Sequence, residues 1–305
     1  MSYPVVLNEI SSNDREGSEH VNPETTLVKH GPPPKYFGVD MDGTLLSRNP
    51  NSMRNNMIAL EKATACGFTV FLCTGRTFSE AVPLIPPETR NKTGFNGYPG
   101  IYQNGSIVYD AQGRLLRETF FKKDVIKLIM DTVLLNNHEK MTLFLSRDQW
   151  FVASSDDSSI DYMTNVLGLL VPVITTSVEY ILNADITKVI IVNYDKVKHA
   201  FRHLSGKEFI SKCAQGNFTD LTPPGITKGS GLEVLLKELK ASSSDCAFIG
   251  DAENDIEAME FIDYSFAVGN AKDSVKAHAK YVLEETNEEG AFAKAVSLLY
   301  GIETD

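Results

Sequence analysis

The stretch Tyr36-Phe-Gly-Val-Asp-Met-Asp-Gly-Thr-Leu-Leu-Ser47 decides the fold predicted for this chain. Its first four residues form an apolar run that stops abruptly at Asp40, which predicts a short buried strand followed directly by a carboxylate. Gly43 permits a turn that a Cβ would hinder, and Thr44 can fix the loop with a hydrogen bond. The sequence therefore predicts an acidic loop at the carboxyl end of a strand.

Two other apolar runs end in polar residues in the same way. Phe68–Cys73 is followed by Thr74-Gly75-Arg76, and Cys246–Ile249 is followed by Gly250-Asp251. Helical patterns occur around Ser52–Cys66, from Lys228 to about Lys240 and around 254–261. Alternating strands and helices predict a parallel sheet with helices on both faces, which is a doubly wound, Rossmann-like α/β fold. Ligands bind outside the carboxyl ends of the strands in such sheets, so the three polar endings should share one crevice.

Composition divides the chain into three predicted regions. Residues 1–35 are polar and end in a proline-rich segment, so we expect a tail that buries little. The alternation of strands and helices in 36–118 and 223–305 predicts one core domain. Between them, 119–222 indicates an inserted α+β domain, with short strand-like runs and with helical patterns at Phe121–Leu135, 158–168 and 195–204.

Carboxylates from two loops are expected in the predicted crevice. Asp40 and Asp42 come from one loop, and Asp251 and Asp255 come from the other. Carboxylates so close together would repel one another and raise each other's pKa values unless a cation lay among them. Oxygen ligands without nearby histidine or cysteine favour Mg²⁺, which takes one or two carboxylates together with water and phosphate oxygens. The pattern therefore predicts a Mg²⁺ site that leaves other acids available for chemistry.

The spacing of Asp40 and Asp42 suits catalysis on a phosphate ester. One carboxylate can attack phosphorus as a nucleophile, while the second protonates the departing oxygen and later deprotonates water. Thr74 offers a hydroxyl group to a phosphate oxygen. Lys228 lies at a predicted helix start, where its charge and the helix dipole both favour a bound phosphate.

Each of these features also has a purely structural interpretation. An Asp-Gly-Thr sequence is often only a turn, and Asn254 and Asp255 are residue types that cap helices. Lys228 alone fits a solvated surface lysine, and Thr74-Gly75-Arg76 fits an ordinary link from strand to helix. For Arg76, a structural ion pair and a substrate contact remain equally open. The four features occur together and in a fixed order, which favours the catalytic interpretation.

Taken together, these segments resemble the haloacid dehalogenase-like (HAD) hydrolases. The similarity to the four motifs of that superfamily lies in DMDGTLLS (40–47), CTGR (73–76), KG (228–229) and GDAENDIEAM (250–259). Their order and spacing resemble the Cof-type, class IIB phosphatases, whose C2 cap lies between the second and third motifs. QNGSIVYDAQG (103–113) and FAVGNA (266–271) are also similar to that subfamily. The resemblance implies that 119–222 is such a cap.

The resemblance also implies a role for each motif residue. Asp40 would be the nucleophile and Asp42 the general acid and base. Mg²⁺ would be bound by Asp40, Asp251 and the backbone carbonyl of Asp42, while Thr74 and Lys228 would hold the phosphoryl group. The residues so assigned are, for the metal, Asp40, Asp42, Asp251 and Asp255, and, for the substrate phosphate, Thr74, Gly75, Arg76, Lys228 and Asn254. Asn254 and Asp255 would also support the metal shell.

The activity expected from these motifs is Mg²⁺-dependent hydrolysis of phosphate monoesters through an aspartyl-phosphate. A cap that closes over the crevice would exclude water and limit access, so the expected substrate is a small phosphorylated metabolite such as a sugar phosphate or a nucleotide. Two alternatives remain open. One is a sugar-phosphate mutase that shares the aspartyl-phosphate step, and the other is a catalytically silent binding or regulatory protein.

Charge and composition limit the classes of partner that the chain can bind. The formal net charge is −11, which argues against a nucleic-acid or acidic-membrane surface because such partners need a basic face. No run approaches the ~18 uncharged apolar residues of a membrane span. The four cysteines show neither metal nor disulfide spacing, which favours reduced thiols and a cytoplasmic location. The Glu-rich stretch 284–289 is expected to be a solvated loop. The sequence gives no indication of which proteins bind to this chain.

Overall fold

A computed structural model of the chain describes residues 31–154, 172–213 and 217–304. Most of the predicted tail, 1–30, and the helix predicted at 158–168 lie outside these residues. The described residues form two compact units. The first unit takes them from Met1–Cys73, Pro86–Asn96 and Leu236–Asp305, and the second takes them from Thr74–Ile85 and Gly97–Leu235.

The elements of the described residues follow in chain order. The strands are β1 (Tyr36–Val39), β2 (Thr69–Cys73), β3 (Gly100–Tyr102), β4 (Ile107–Tyr109), β5 (Leu115–Glu118), β6 (Thr142–Leu145), β7 (Trp150–Ala153), β8 (Val173–Thr176), β9 (Lys188–Val192), β10 (Ile210–Cys213), β11 (Phe218–Thr222), β12 (Cys246–Gly250), β13 (Tyr264–Ala267) and β14 (Tyr281–Val282). The helices are α1 (Pro50–Ala65), α2 (Phe78–Leu84), α3 (Pro87–Thr93), α4 (Lys123–Leu135), α5 (Val178–Asn183), α6 (Lys198–Phe201), α7 (Lys228–Leu239), α8 (Ile256–Phe261), α9 (Asp273–Lys276) and α10 (Ala291–Tyr300).

A parallel sheet forms the centre of the first unit. Among its described residues, five strands lie in the order β14–β13–β12–β1–β2. Val39 of β1 pairs with Ile249 of β12 on one side and with Leu72 of β2 on the other. Gly38 allows β1 to lie close to its neighbour, since a Cβ there would be 3.1 Å from the Phe71 ring. Because β1 and β12 run in the same direction, their carboxyl ends meet at one edge of the sheet.

Helix α1 anchors the acidic loop that follows β1. It begins at Pro50, and the side chain of Asn49 accepts a hydrogen bond from the backbone N–H of Asn51, which is a helix cap. Within the helix, the buried amide of Asn56 donates to the carbonyl of Leu45 (2.8 Å) and accepts from the N–H of Ala293 in α10 (3.1 Å). Buried polar groups need such partners, so this amide fixes the loop to both helices.

The second unit contains a six-stranded sheet within the described residues, in the order β10–β11–β9–β6–β7–β8. Its neighbours are antiparallel except for β7 and β8. Side chains alternate between its two faces, as the pleat requires. In β6, for example, Phe144 belongs to one buried cluster while Leu143 and Leu145 belong to the other. A separate antiparallel set, β3–β4–β5, also belongs to this unit.

The structure corrects the helix predicted at 195–204. Asn193 adopts a left-handed conformation (φ 53°), a 3₁₀ turn follows at Tyr194–Lys196, and α6 is restricted to Lys198–Phe201. The sequence patterns also do not predict α2, α3 or α10. Helix α2 contains Pro83, α3 is short and polar, and α10 is buried around most of its circumference. Helices α2 and α3 are short, with seven residues each, and give little helical period to recognise.

The described residues of the predicted cap, 119–222, all belong to the second unit. That unit also includes β3, β4 and β5 and the beginning of α7. The boundaries expected at 118/119 and 222/223 therefore remain a prediction. Among the described residues, no helix combines the length and the apolar character that a membrane crossing requires.

Candidate functional site

The first acidic loop is held in continuation of β1. The backbone N–H of Asp40 donates to the carbonyl of Ile249 (3.0 Å), which extends the β1–β12 ladder by one residue. The N–H of Leu45 then returns to the carbonyl of Asp40 (3.2 Å). Gly43 has φ +79°, a conformation that glycine adopts without strain. The chain thus turns back immediately after the strand and leaves Asp40 buried at the sheet edge, with 5% of its surface exposed.

The second acidic loop follows β12 and is organised by Asp255. Its Oδ2 atom accepts hydrogen bonds from the backbone N–H groups of Asp251 and Ala252, each at 3.0 Å. Gly250 lies directly beneath this carboxylate. A Cβ on Gly250 would be 2.4 Å from Cγ of Asp255, a distance that side chains do not tolerate. The loop therefore needs glycine at this position for Asp255 to reach the cluster.

Carboxylates from both loops converge. Among the described residues, Asp40, Asp251 and Asp255 each offer an oxygen that lies within 4.8 Å of the other two. Asp40 and Asp255 are buried, and Asp251 is partly buried. Thr44 Oγ1 donates to Asp251 Oδ1 at 3.1 Å, so its hydroxyl links the two loops instead of bonding within its own loop. The juxtaposition of Asp40 and Asp251 on which the predicted metal site depends is therefore present.

The chemistry of this cluster fits a hard divalent cation. Three neighbouring carboxylates, two of them buried, would repel one another strongly in a medium of low dielectric constant unless a cation compensated them. Their oxygen donors are those that Mg²⁺ and Ca²⁺ prefer, and no histidine or cysteine belongs to the described cluster. The residues present thus suit the predicted ion.

Asp42 and Asn254 accompany the cluster without belonging to the converging group. Asp42 is partly exposed and has an extended backbone (φ −79°, ψ 118°) within the first loop. This agrees with a role for its side chain away from the metal. Asn254 is 7% exposed in the 3₁₀ turn Glu253–Asp255 that precedes α8. The roles assigned to both residues remain predictions.

Two asparagines that the sequence analysis did not assign brace the first loop. Asn270 Nδ2 donates to the carbonyl of Gly43 (3.0 Å), and Asn270 Oδ1 accepts from the N–H of Asn287 (2.8 Å). Asn287 Nδ2 in turn donates to the carbonyl of Leu46 (2.9 Å). The segment FAVGNA was the only sequence signal for this brace, and it pointed to a subfamily and not to a contact.

The stretch 284–289 makes more hydrogen bonds to the rest of the protein than a solvated loop, which was the prediction, would make. Glu288 accepts hydrogen bonds from the hydroxyl of Ser47 (2.8 Å) and from the N–H groups of Asn49 (2.8 Å) and Arg48 (2.9 Å). These hydrogen bonds hold the pKa of Glu288 below its ordinary value, and the bond from Ser47 makes the largest contribution. A lowered pKa means that this anchoring acts at neutral pH and is lost as the pH falls through the pKa of the folded state.

Of the residues assigned to phosphate, Thr74, Gly75, Arg76 and Lys228 belong to the second unit and Asn254 belongs to the first. Hydrogen bonds fix the loop 74–76. The N–H of Thr74 donates to the carbonyl of Ile101 (2.9 Å), and the N–H of Arg76 donates to Thr74 Oγ1 (3.1 Å). The loop is also bonded to two residues with positive φ, Gln103 (49°) and Asn104 (56°). Their N–H groups donate to the carbonyls of Arg76 and Thr74, both at 3.0 Å. These hydrogen bonds fix the backbone of the loop, and its role in phosphate binding stays a prediction.

Lys228 is the first residue of α7, as predicted, and it is fully buried. The solvated surface lysine is therefore excluded. Thr227 and Ser230 cap the helix reciprocally, each accepting from the other's backbone N–H through its hydroxyl at 3.1 Å. Gly105 lies against this turn so closely that a Cβ there would be 2.3 Å from the carbonyl oxygen of Thr227. A buried ammonium at a helix N-terminus suits an anionic ligand.

Gly250→Ala is expected to weaken the response of the protein to divalent cations. The new Cβ would displace Asp255, and such overpacking costs about 1–3 kcal/mol of stability. The increase of melting temperature on adding Mg²⁺ to EDTA-treated protein should therefore shrink. Gly67→Ala is a matched control, since φ +88° strains an alanine there while its Cβ meets no atom within 4 Å. It should lower the melting temperature and leave the Mg²⁺ response intact; an equal Mg²⁺ response in both variants would contradict the role of Gly250.

Comparison with known proteins identifies relatives over most of the chain. The family profile described as haloacid dehalogenase-like hydrolase matches residues 37–296. The 5-amino-6-(5-phospho-D-ribitylamino)uracil phosphatase YbjI of Escherichia coli is 24% identical over 266 residues, which cover 84% of this chain and 93% of that protein. The chloroplastic endoribonuclease YBEY of Arabidopsis thaliana is 27% identical over 272 residues, or 86% of this chain. The match spans only 46% of that longer relative.

A solved structure supports the same grouping. A HAD/COF-like hydrolase from Plasmodium vivax superposes with a TM-score of 0.80 at 28% sequence identity. The superposition covers 89% of this chain and 97% of that one. The α/β fold predicted from the alternation of strands and helices, and the resemblance drawn from the four motifs, are both confirmed.

Proposed function

Because the chain belongs to the haloacid dehalogenase-like hydrolases, we propose that it is a Mg²⁺-dependent phosphatase that hydrolyses phosphate monoesters through a phosphorylated Asp40. The observation that carries this proposal is the convergence of Asp40, Asp251 and Asp255 within 4.8 Å at the end of β1 and β12. Asp40 and Asp251 each follow directly upon a strand of the parallel sheet, where a reacting group is held rigidly. Relatives that carry the name phosphatase support the same reaction class.

In the first step, a carboxylate oxygen of Asp40 attacks phosphorus and the bond from phosphorus to the ester oxygen breaks. Asp42 donates a proton to that departing oxygen, so the alcohol leaves in neutral form. In the second step, Asp42 takes a proton from water, and the resulting nucleophile attacks phosphorus of the aspartyl-phosphate. Orthophosphate leaves and the carboxylate of Asp40 is restored. Splitting the hydrolysis in this way replaces one difficult displacement by two easier ones.

The cation is assigned to Asp40, Asp251, Asp255 and the backbone carbonyl of Asp42. When bound, it supplies positive charge that lets a carboxylate approach an anionic phosphate. The protein's own part is to hold these oxygens together, and Thr44 contributes by fixing Asp251 through its hydroxyl group. Asp255 contributes by ordering the second loop through two backbone N–H groups.

In this proposal the donors for the phosphoryl oxygens are the residues that the sequence analysis assigned. Thr74 would donate its hydroxyl proton, and Lys228 would provide a buried positive charge at the start of α7. Gly75, Arg76 and Asn254 complete the predicted phosphate-binding set.

The proposed substrate is a small phosphorylated metabolite, either a sugar phosphate or a nucleotide. The name of the Escherichia coli relative describes a uracil ring that carries a phosphorylated ribityl chain, which combines features of both classes. The endoribonuclease named for the plant relative is not proposed for this chain, since the match spans less than half of that protein. A cytoplasmic location and the absence of nucleic-acid and membrane partners stay predictions.

A panel of phosphate monoesters, assayed with purified protein, tests the proposed function. We expect release of orthophosphate from at least one sugar phosphate or nucleotide in Mg²⁺ and none in EDTA. Product analysis by chromatography distinguishes the alternatives, since a mutase would return an isomeric sugar phosphate in place of free sugar and orthophosphate. Failure of every ester to release orthophosphate in Mg²⁺ would refute the proposal and favour a silent binding protein.

A further inference from the structure

A buried ion pair in the second unit contacts the predicted phosphate-binding loop. Lys188, at the start of β9, and Asp220, in β11, form a bond of 3.1 Å between Nζ and Oδ2. Their side chains are only 4% and 5% exposed. Lysine and aspartate are seldom buried to this extent, because both charges lose their hydration. A buried ion pair gains little stability over an apolar pair, so its presence calls for another explanation.

The ammonium of Lys188 has a second partner that supplies this explanation. Nζ donates to the backbone carbonyl of Gly75 at 2.7 Å. This carbonyl belongs to the peptide group that joins Gly75 to Arg76. A peptide group is planar and nearly always trans, so fixing its oxygen also fixes the direction of its N–H, which points the opposite way. Lys188 therefore orients the N–H of Arg76 without touching it.

The N–H of Arg76 in turn orients the hydroxyl of Thr74. It donates to Thr74 Oγ1 at 3.1 Å. A hydroxyl group can accept hydrogen bonds through its lone pairs while donating its single proton elsewhere. Because the N–H of Arg76 occupies one lone pair of the Thr74 hydroxyl, the hydroxyl proton can point in fewer directions. A preorganised donor binds an anion more tightly than one that must find its direction first.

Asn104 and Gly75 complete the arrangement. Asn104 Nδ2 donates to Asp220 Oδ2 at 2.6 Å, and its backbone N–H donates to the carbonyl of Thr74 at 3.0 Å. Gly75 leaves room for these groups, since a Cβ would lie 3.1 Å from Asn104 Oδ1 and 3.3 Å from Asp220 Oδ2. The carboxylate of Asp220 thus fixes both Lys188 and Asn104, and each of them holds one carbonyl of the loop.

We propose that the Lys188–Asp220 pair is a positioning device that aims the Thr74 hydroxyl at the substrate phosphate through the peptide group between Gly75 and Arg76. The inference rests on the proposed function, because it assumes that Thr74 binds phosphate. It makes two cap strands, β9 and β11, part of the machinery that prepares the phosphate-binding loop. Neither residue need touch the substrate.

The first test is the affinity for phosphate in Lys188→Met. With the Gly75 carbonyl released, the competitive inhibition constant of orthophosphate, measured against p-nitrophenyl phosphate or the best ester of the panel, should rise on the order of tenfold. The KM should rise with it, and kcat should change less. The Mg²⁺-dependent rise of melting temperature should stay as in the wild type, because the carboxylate cluster is built from other residues.

A double-mutant cycle distinguishes positioning from a general structural role. Thr74→Val removes the hydroxyl that the pair is proposed to aim. In that background, Lys188→Met should have almost no further effect on the inhibition constant of orthophosphate, because the two changes act through one group. Independent losses that multiply in the double variant would overturn the proposal.

Two further variants serve as a control and as an alternative in case Lys188→Met does not fold. Lys123→Met is a matched control, since Lys123 Nζ also donates to a backbone carbonyl (Asn183, 2.9 Å) and to a carboxylate (Asp185, 2.8 Å) in the same unit. It should leave the orthophosphate constant unchanged. If Lys188→Met does not fold, Lys188→Met combined with Asp220→Asn removes both charges and should show the same tenfold loss of phosphate affinity. If the wild type is active and the variants that carry Lys188→Met keep its phosphate affinity, this inference alone is refuted. If the wild type is inactive, the proposed function is refuted.

Discussion

Asp40→Asn is expected to lower the rate of phosphate release by roughly 10⁴-fold or more, the scale on which loss of a catalytic nucleophile acts. The amide keeps the shape of the side chain and its capacity to accept hydrogen bonds. It lacks the charge that attacks phosphorus, so no aspartyl-phosphate forms. The measurement is kcat at saturating Mg²⁺ on the best substrate of the panel, and acid quenching with labelled substrate should trap phosphate on the wild type only.

Asp263→Asn is the matched control for that loss. Asp263 is an exposed aspartate of the first unit whose carboxylate accepts one hydrogen bond of 3.2 Å from Ser243. Its neutral variant should keep the wild-type kcat. Should Asp40→Asn retain more than about a tenth of the wild-type rate while folding normally, nucleophilic attack by Asp40 would be excluded.

Removal of divalent cations is expected to abolish activity and to reduce the free energy of unfolding. A cation bound only by the folded state adds about 2.7 kcal/mol when its concentration is a hundred times its dissociation constant. Asp251→Asn should lose most of this increment, because it removes one of the three converging carboxylates. Thermal unfolding in EDTA and in rising Mg²⁺ measures the effect.

The same variant has a second, opposite effect in EDTA. Without a cation, Asp40, Asp251 and Asp255 repel one another, and neutralising Asp251 relieves part of that repulsion. Asp251→Asn should therefore unfold at the wild-type temperature or above it in EDTA, and below the wild type in Mg²⁺. A variant that is equally destabilised in both conditions would show that Asp251 serves the fold and not a metal site.

The parts of the fold that the sequence predicted well are those specified by neighbouring residues. The apolar run Tyr36–Val39 is a strand with the predicted bounds, and α7 begins at Lys228, as the predicted helix does. Predictions failed where a distant contact outweighed the local pattern. The pattern at 195–204 gives only the end of a 3₁₀ turn and the four-residue α6, and the left-handed Asn193 precedes that turn.

For the candidate site, the sequence was enough to predict that two loops supply the acids and to name Asp40, Asp251 and Asp255, which the structure brings together. This was possible because both acidic loops come at the end of an apolar run, and an apolar run is recognisable without knowledge of its partners. How those residues are held in place depends on contacts between distant parts of the chain. Thr44 bonds to Asp251 across 207 residues of sequence, and Lys188 reaches the carbonyl of Gly75 across 113. Such contacts depend on strand register and on burial, which local sequence does not encode.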